Sequence, residues 1–167
     1  MKYLLPCLVL LALLSCNSSS GRRSFGFGSM SRLEKAEELS RQGKYDQAIE
    51  AYRQHLEDRL KVKDRPEWEN PYFYLILIGD IELGQGKRAE ALQNYEEADK
   101  RGVDVYLISD RIRSVAYSYE KDGKLAEALQ LLEKHRAKDA LLFDSMLDRI
   151  AKELVEVEES AAPAGAH

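Results

Sequence analysis

Small and large apolar positions recur along the chain in one fixed order. The segment Gly43 to Tyr52 reads GKYDQAIEAY, Gly86 to Tyr95 reads GKRAEALQNY, and Gly123 to Leu132 reads GKLAEALQLL. Each opens Gly-Lys, carries alanine five residues on (Ala48, Ala91, Ala128), and carries a large residue nine on (Tyr52, Tyr95, Leu132). Seven residues before each glycine stands another small residue: Ala36, Gly79 and Ala116. This pattern predicts three helical hairpins. Glycine closes the first helix of each pair in a left-handed conformation. The paired small residues let the two helices approach, and the large residue one turn beyond each alanine fills the space beside it.

The repeated small residue, turn glycine, alanine and large residue resemble the tetratricopeptide repeat (TPR), a 34-residue helix-turn-helix unit that stacks into a solenoid. The resemblance covers about residues 29–139 and implies an all-α, TPR-like solenoid of three hairpins. It departs from the family pattern in spacing, since the glycines lie 43 and then 37 residues apart. Histidine (His55, His135) replaces the usual small residue in the outer copies, and the closing proline is missing. In the family, the first helix of each repeat lines a concave groove that holds extended peptides or helices. The register carries Leu33, Glu37 and Arg41 onto that groove, then Phe73, Ile76 and Asp80, then Arg113, Tyr117 and Glu120. Phe73, Ile76, Asp80, Arg113 and Tyr117 are the partner-binding candidates this implies, with Phe73 and Tyr117 facing one channel. The basic and asparagine side chains with which chaperone-binding members grip a terminal carboxylate are not matched there.

Ser31 and Glu34 have the spacing of a capping box, so the first helix starts there and runs to about Gln42. Its partner runs from Tyr45 to about Lys61 and buries Ala48, Ile49, Tyr52 and Leu56. A charged connection, Val62 to Asn70, then bulges between repeats; its Trp68 folds back on Tyr72 or serves binding. Asn70 as cap and Pro71 at the first helical position open the next helix. PYFYLILI, from Pro71 to Ile78, would pass for a buried strand by itself, but the repeat register makes it the central first helix. Asp104 caps the third hairpin, Val105 to about Arg136. From Asp139 a last helix carries Phe143, Leu147, Ile150, Leu154 and Val157 along one stripe. That stripe caps the open end of the solenoid, which would otherwise expose apolar surface, or forms a seam with a second copy.

The N-terminus has a different character. Met1-Lys2, an apolar run from Leu4 to Leu14, and Ser15-Cys16 form a charged start, a short apolar middle and a small residue before the cysteine, too short to span a bilayer permanently. The end, Leu13-Leu14-Ser15-Cys16, resembles the lipobox of bacterial lipoproteins. That resemblance implies cleavage before Cys16 and lipidation of its thiol, and several acyl chains make such an anchor effectively permanent. Asn17 is not the aspartate that retains lipoproteins at the inner membrane, so the outer membrane or periplasm is favoured. Residues 17–30, NSSSGRRSFGFGSM, read as a polar tether in which Arg22, Arg23, Phe25 and Phe27 stand out. The expected organisation is a signal peptide at 1–15, lipidated cysteine and tether at 16–30, the repeat domain with its capping helix at 31–159, and a disordered tail at 160–167.

Composition narrows the function. Charged residues make up 32% of the 167, with a net charge of −4, so the clustered basic excess of a nucleic-acid binder is missing. Both cysteines, Cys7 and Cys16, precede the repeats, which therefore stand without a disulfide. The three histidines have no metal-ligand spacing, and no nucleophile elbow or phosphate loop occurs. No metal, cofactor or catalytic role is expected. The expected function is a membrane-anchored scaffold or assembly factor holding another cell-envelope protein in the groove, with a self-associating module as the alternative.

Overall fold

The computed structural model describes residues 31–161, all of whose regular structure is helical. The expected signal peptide and tether, Cys16, and residues 162–167 of the expected tail lie outside the described residues. Seven α-helices follow one another: α1 (Arg32–Arg41), α2 (Tyr45–Lys61), α3 (Phe73–Gly84), α4 (Arg88–Lys100), α5 (Val105–Lys121), α6 (Leu125–His135) and α7 (Ala140–Ala161). A 3-10 turn, Arg136–Lys138, joins the last two. The strongest packing is within the pairs α1–α2, α3–α4 and α5–α6, and each pair stacks on the next through α2–α3 and α4–α5. These are the three expected hairpins, and α7 closes the stack against α6.

The turns form for the reason the sequence suggests. Gly43, Gly86 and Gly123 have φ of 72°, 76° and 70°. In each turn the following lysine amide donates to the carbonyl five residues back, as Lys44 N does to Leu39 O at 2.9 Å. A fourth turn of this kind, at Gly102 with φ 78°, connects α4 to α5. Ala36, Ala48, Ala91, Ala116 and Ala128 are fully buried at the helix crossings. Gly79 occupies the tightest crossing, since a Cβ there would lie 2.9 Å from Cδ1 and Cζ of Tyr95, with Cε1 nearer still. The second repeat thus uses glycine where its neighbours use alanine because the ring of Tyr95 rests directly on the helix backbone.

The helix ends mostly follow expectation. Ser31 and Glu34 form the reciprocal capping box, and Asp104 Oδ1 accepts the amides of Tyr106 and Leu107, each at 3.0 Å. The start of α3 differs: regular helix begins at Phe73, not Pro71. Asn70 Oδ1 accepts the Tyr72 amide at 3.0 Å, and the amides of Phe73, Tyr74 and Leu75 each bond three residues back, so a tighter turn precedes the helix. Ile49 is half-buried, and Ala51 takes the deeper place beside Ala48, Tyr52 and Leu56. Trp68 does not fold back on Tyr72. It is 85% exposed, and the Tyr72 ring is covered by the Arg101 guanidinium, 4.9 Å from its centroid.

In α7, Phe143 and Ile150 are fully buried, Leu147 and Leu154 half-buried, and Val157 exposed. The 22-residue helix is about 33 Å long, about twice the length of α6. Ser160 and Ala161, placed in the tail by sequence, continue this helix.

Candidate partner-binding furrow

The direction in which the stack curves decides which helices face inward. The first helices α3 and α5 pack directly on each other. The second helix α4 instead meets α6 and the 3-10 turn after it through long side chains, Lys134 Nζ to Glu96 at 2.7 Å and Lys138 Nζ to Asp99 at 2.5 Å. The hairpins are therefore closer on the first-helix side, and the solenoid is concave there.

Three depressions lie along that side and run into one another. The first, about 380 Å³, lies between Tyr45, Tyr52, Leu77, Asp80 and Gly84. The second, about 440 Å³, shares Asp80 and Gly84 and continues to Arg111, Ser114, Tyr117 and Lys121. The third, about 420 Å³, shares Ser114 and Tyr117 and ends at Arg113, Met146 and Arg149. Together they make one furrow crossing α3, α5 and α7. Its floor at Gly84 is bare backbone, and a Cβ there would meet nothing within 4 Å.

Asp80 organises the centre of the furrow. Its Oδ1 accepts Tyr95 Oη at 2.9 Å and Arg111 Nε at 2.9 Å, while its Oδ2 accepts Arg111 Nη2 at 3.2 Å. This fork of two parallel bonds ties α3 to α5. The hydrogen bond that Arg111 donates to Asp80 and burial act oppositely on its guanidinium, and the bond prevails, holding its pKa above the usual value. Burial, with Asp80 adding to it, pushes the Tyr95 phenol far above the tyrosine range, so it stays a donor at any physiological pH. At the far end, Arg149 of α7 pairs with Glu120, with Nη2 to Oε2 at 2.9 Å, and holds that carboxyl below the usual carboxylate range.

The five partner-binding candidates divide three ways. Asp80, Arg113 and Tyr117 are brought to the furrow, Tyr117 at 55% exposure. Ile76 is fully buried in the interhelix core and presents nothing to a partner. Phe73, 42% exposed, lines a different cavity near Leu107, so it does not share a channel with Tyr117. Helical rise puts Leu107 and Tyr117 about 15 Å apart along α5. Glu120 is occupied by its ion pair with Arg149.

Several lining residues were missed. Leu77, Asp80 and Gly84 in α3 and Ser114, Tyr117 and Lys121 in α5 hold equivalent places, each pair spaced as Gly86 is from Gly123. Leu77, Gly84, Ser114 and Lys121 were therefore within reach of the register. Met146 and Arg149 belong to α7, which the repeat pattern does not cover.

The polar groups outside the furrow are in packing roles. His55 sets its ring edge-on to Tyr74 at 4.6 Å, and His135 is buried with Nε2 3.2 Å from Glu96 Oε1. Glu82, also buried, accepts Asn94 Nδ2 at 2.6 Å, and loss of solvent raises its carboxyl above the usual range. Among the described residues no cluster of three His, Cys, Asp or Glu side chains is placed to hold a metal ion.

No protein-family model and no curated protein matches the chain. Among solved structures, the chain is similar to the TPR2AB domain of yeast Sti1 in its complex with pHSP90, at 22% identity and a TM-score of 0.55. The match covers 78% of this chain and 48% of that one, so the chain spans about half of that structure. The fold is a TPR-like helical solenoid.

Proposed function

We propose that this chain is a protein–protein interaction scaffold whose furrow holds an extended or helical segment of another cell-envelope protein. The observation that carries the reading is the continuous furrow across α3, α5 and α7, with backbone exposed at Gly84 and polar anchors fixed around Asp80. A surface that is pre-formed and locked by a charged fork loses little entropy when a partner settles on it. The fold relative from yeast is a complex with another protein, which supports the same class of role here.

In this proposal the scaffold is held at a bacterial membrane by lipid on Cys16, favouring the outer membrane or periplasm, because Leu13 to Cys16 resemble a lipobox. Replacing Cys16→Ala is expected to abolish fatty-acid incorporation and membrane fractionation. Unchanged fractionation of that variant, with no acyl label, removes the anchor from the reading.

The furrow is tested by a photoreactive benzoylphenylalanine in place of Tyr117, crosslinked in cells. The expected result is a defined adduct that disappears when Gly84→Leu fills the floor, while Gly84→Ala retains it. The new Cβ of either variant meets nothing within 4 Å, and both variants must melt as the parent does before their adducts are compared. An adduct indifferent to Gly84→Leu, or none at all, refutes the furrow.

A second reading, self-association, is favoured by the exposure of Leu141, Val155 and Val157 on α7. It requires a dimer mass in solution that falls to monomer when Val155 and Val157 are made polar.

A further inference from the structure

Trp68 is the single tryptophan of the chain and stands 85% exposed on a segment that is braced on both sides. Glu69 N donates to Pro66 O at 3.0 Å, and Arg59 Nε donates to Glu69 Oε1 at 2.6 Å. Asn70 Nδ2 donates to the Arg101 carbonyl at 3.0 Å. The indole is thus held out in water by fixed neighbours. With Phe73, Tyr74, Val103 and Leu107 it lines a cavity of about 570 Å³ that shares no residue with the furrow. A fixed cluster of exposed aromatic surface is unfavourable in water and marks a place where something docks.

The chain itself supplies an occupant of matching chemistry. Ser31, where the described structure begins, enters beside the last turns of α2, because Arg32 Nη1 donates to Gln54 at 2.7 Å and Arg32 Nε lies 2.7 Å from Asp58. The next residue of α2, Arg59, is the one that holds the Trp68 segment. Phe27 and Phe25 precede Ser31 by four and six residues, and such lengths reach about 13 and 20 Å when extended. Residues two apart share one side of an extended segment, so both rings can face the cavity together. Arg22 and Arg23 lie just before; of the two carboxylates in the cavity lining, Glu69 is already paired with Arg59, and Asp104 is the acidic group left at the rim.

We propose that Phe25 and Phe27 dock in cis against Trp68 and Phe73, with Arg22 and Arg23 toward Asp104. This occupies the exposed aromatics and fixes the approach of the N-terminal segment to the solenoid. It goes beyond the furrow reading and does not depend on it.

Because Trp68 is alone in its class, its fluorescence reports the cavity directly. The full chain in detergent micelles is compared with a Phe25→Ser, Phe27→Ser double variant. The expected result is a red-shifted emission maximum and a larger acrylamide quenching constant in the variant, at every protein concentration, with unchanged helix melting. The Gly84→Leu variant should leave the Trp68 signal as in the parent, which separates failure of the furrow from failure of this proposal. Identical emission and quenching in parent and double variant overturn the docking. A difference that vanishes on dilution makes the occupant the segment of a second copy and overturns the cis arrangement.

Discussion

Adding a single methyl group at Gly79 sets two known effects against each other, and the structure decides between them. In a helix interior, Gly→Ala ordinarily stabilises by about 1 kcal/mol, because alanine loses less backbone entropy. At Gly79 the new Cβ would stand 2.9 Å from two carbons of the Tyr95 ring, and closer to a third. Tyr95 is fully buried, so its ring has no open space to retreat into. Overpacking of this kind costs about 1–3 kcal/mol. Displacing the ring would also stretch the hydrogen bond of Tyr95 Oη to Asp80, now 2.9 Å, and bonds to charged groups are worth about 1.5–3 kcal/mol. The expected net result is destabilisation of Gly79→Ala by about 1–2 kcal/mol. Gly84→Ala, in the same helix with open space around its Cβ, should instead gain up to about 1 kcal/mol. Urea unfolding followed by far-ultraviolet circular dichroism measures both. The third repeat suggests a rescue, since it pairs Ala116 with Leu132 at these places. Tyr95→Leu should therefore relieve Gly79→Ala, giving a favourable coupling of about 1 kcal/mol in the double-mutant cycle. If Gly79→Ala proves as stable as Gly84→Ala, the close approach of α3 to the Tyr95 ring is wrong.

Three further outcomes follow from the same geometry. Ala91→Leu forces extra atoms into a fully buried crossing and should lower stability by about 1–3 kcal/mol; melting within a degree of the parent would contradict the register. The raised carboxyl of Glu82 means the folded state holds its proton more tightly than the unfolded chain, so stability should fall as pH rises from the ordinary glutamate range through the raised value. Glu82→Gln should flatten that part of the stability–pH curve and match or exceed the parent at neutral pH, and an unchanged slope would count against it. Ser31→Ala removes the side-chain half of the capping box and should cost about 1 kcal/mol, read as faster hydrogen exchange confined to the first turn of α1.

The repeat pattern alone carried the architecture. Three glycines with positive φ, five buried alanines and the large residues over them were all identifiable by spacing, because a helical hairpin imposes the same local demand each time it occurs. Most of the run from Pro71 to Ile78, strand-like by composition, was legible as helix once the register was laid over it, though regular helix starts only at Phe73. What spacing could not supply was direction: Phe73, Ile76 and Asp80 occupy one helix at intervals of three and four, yet one lines a separate cavity, one is in the core and one is in the furrow. A helical register places residues around an axis but does not say where the neighbouring helices stand, and that depends on how closely the hairpins pack. Ile76 is taken into the interhelix core, Phe73 lines a second cavity with Trp68 of the Val62–Asn70 connection, and α7 brings Met146 and Arg149 to the end of the furrow. Those placements arise from contacts between distant parts of the chain, which is why only the tertiary structure decided them.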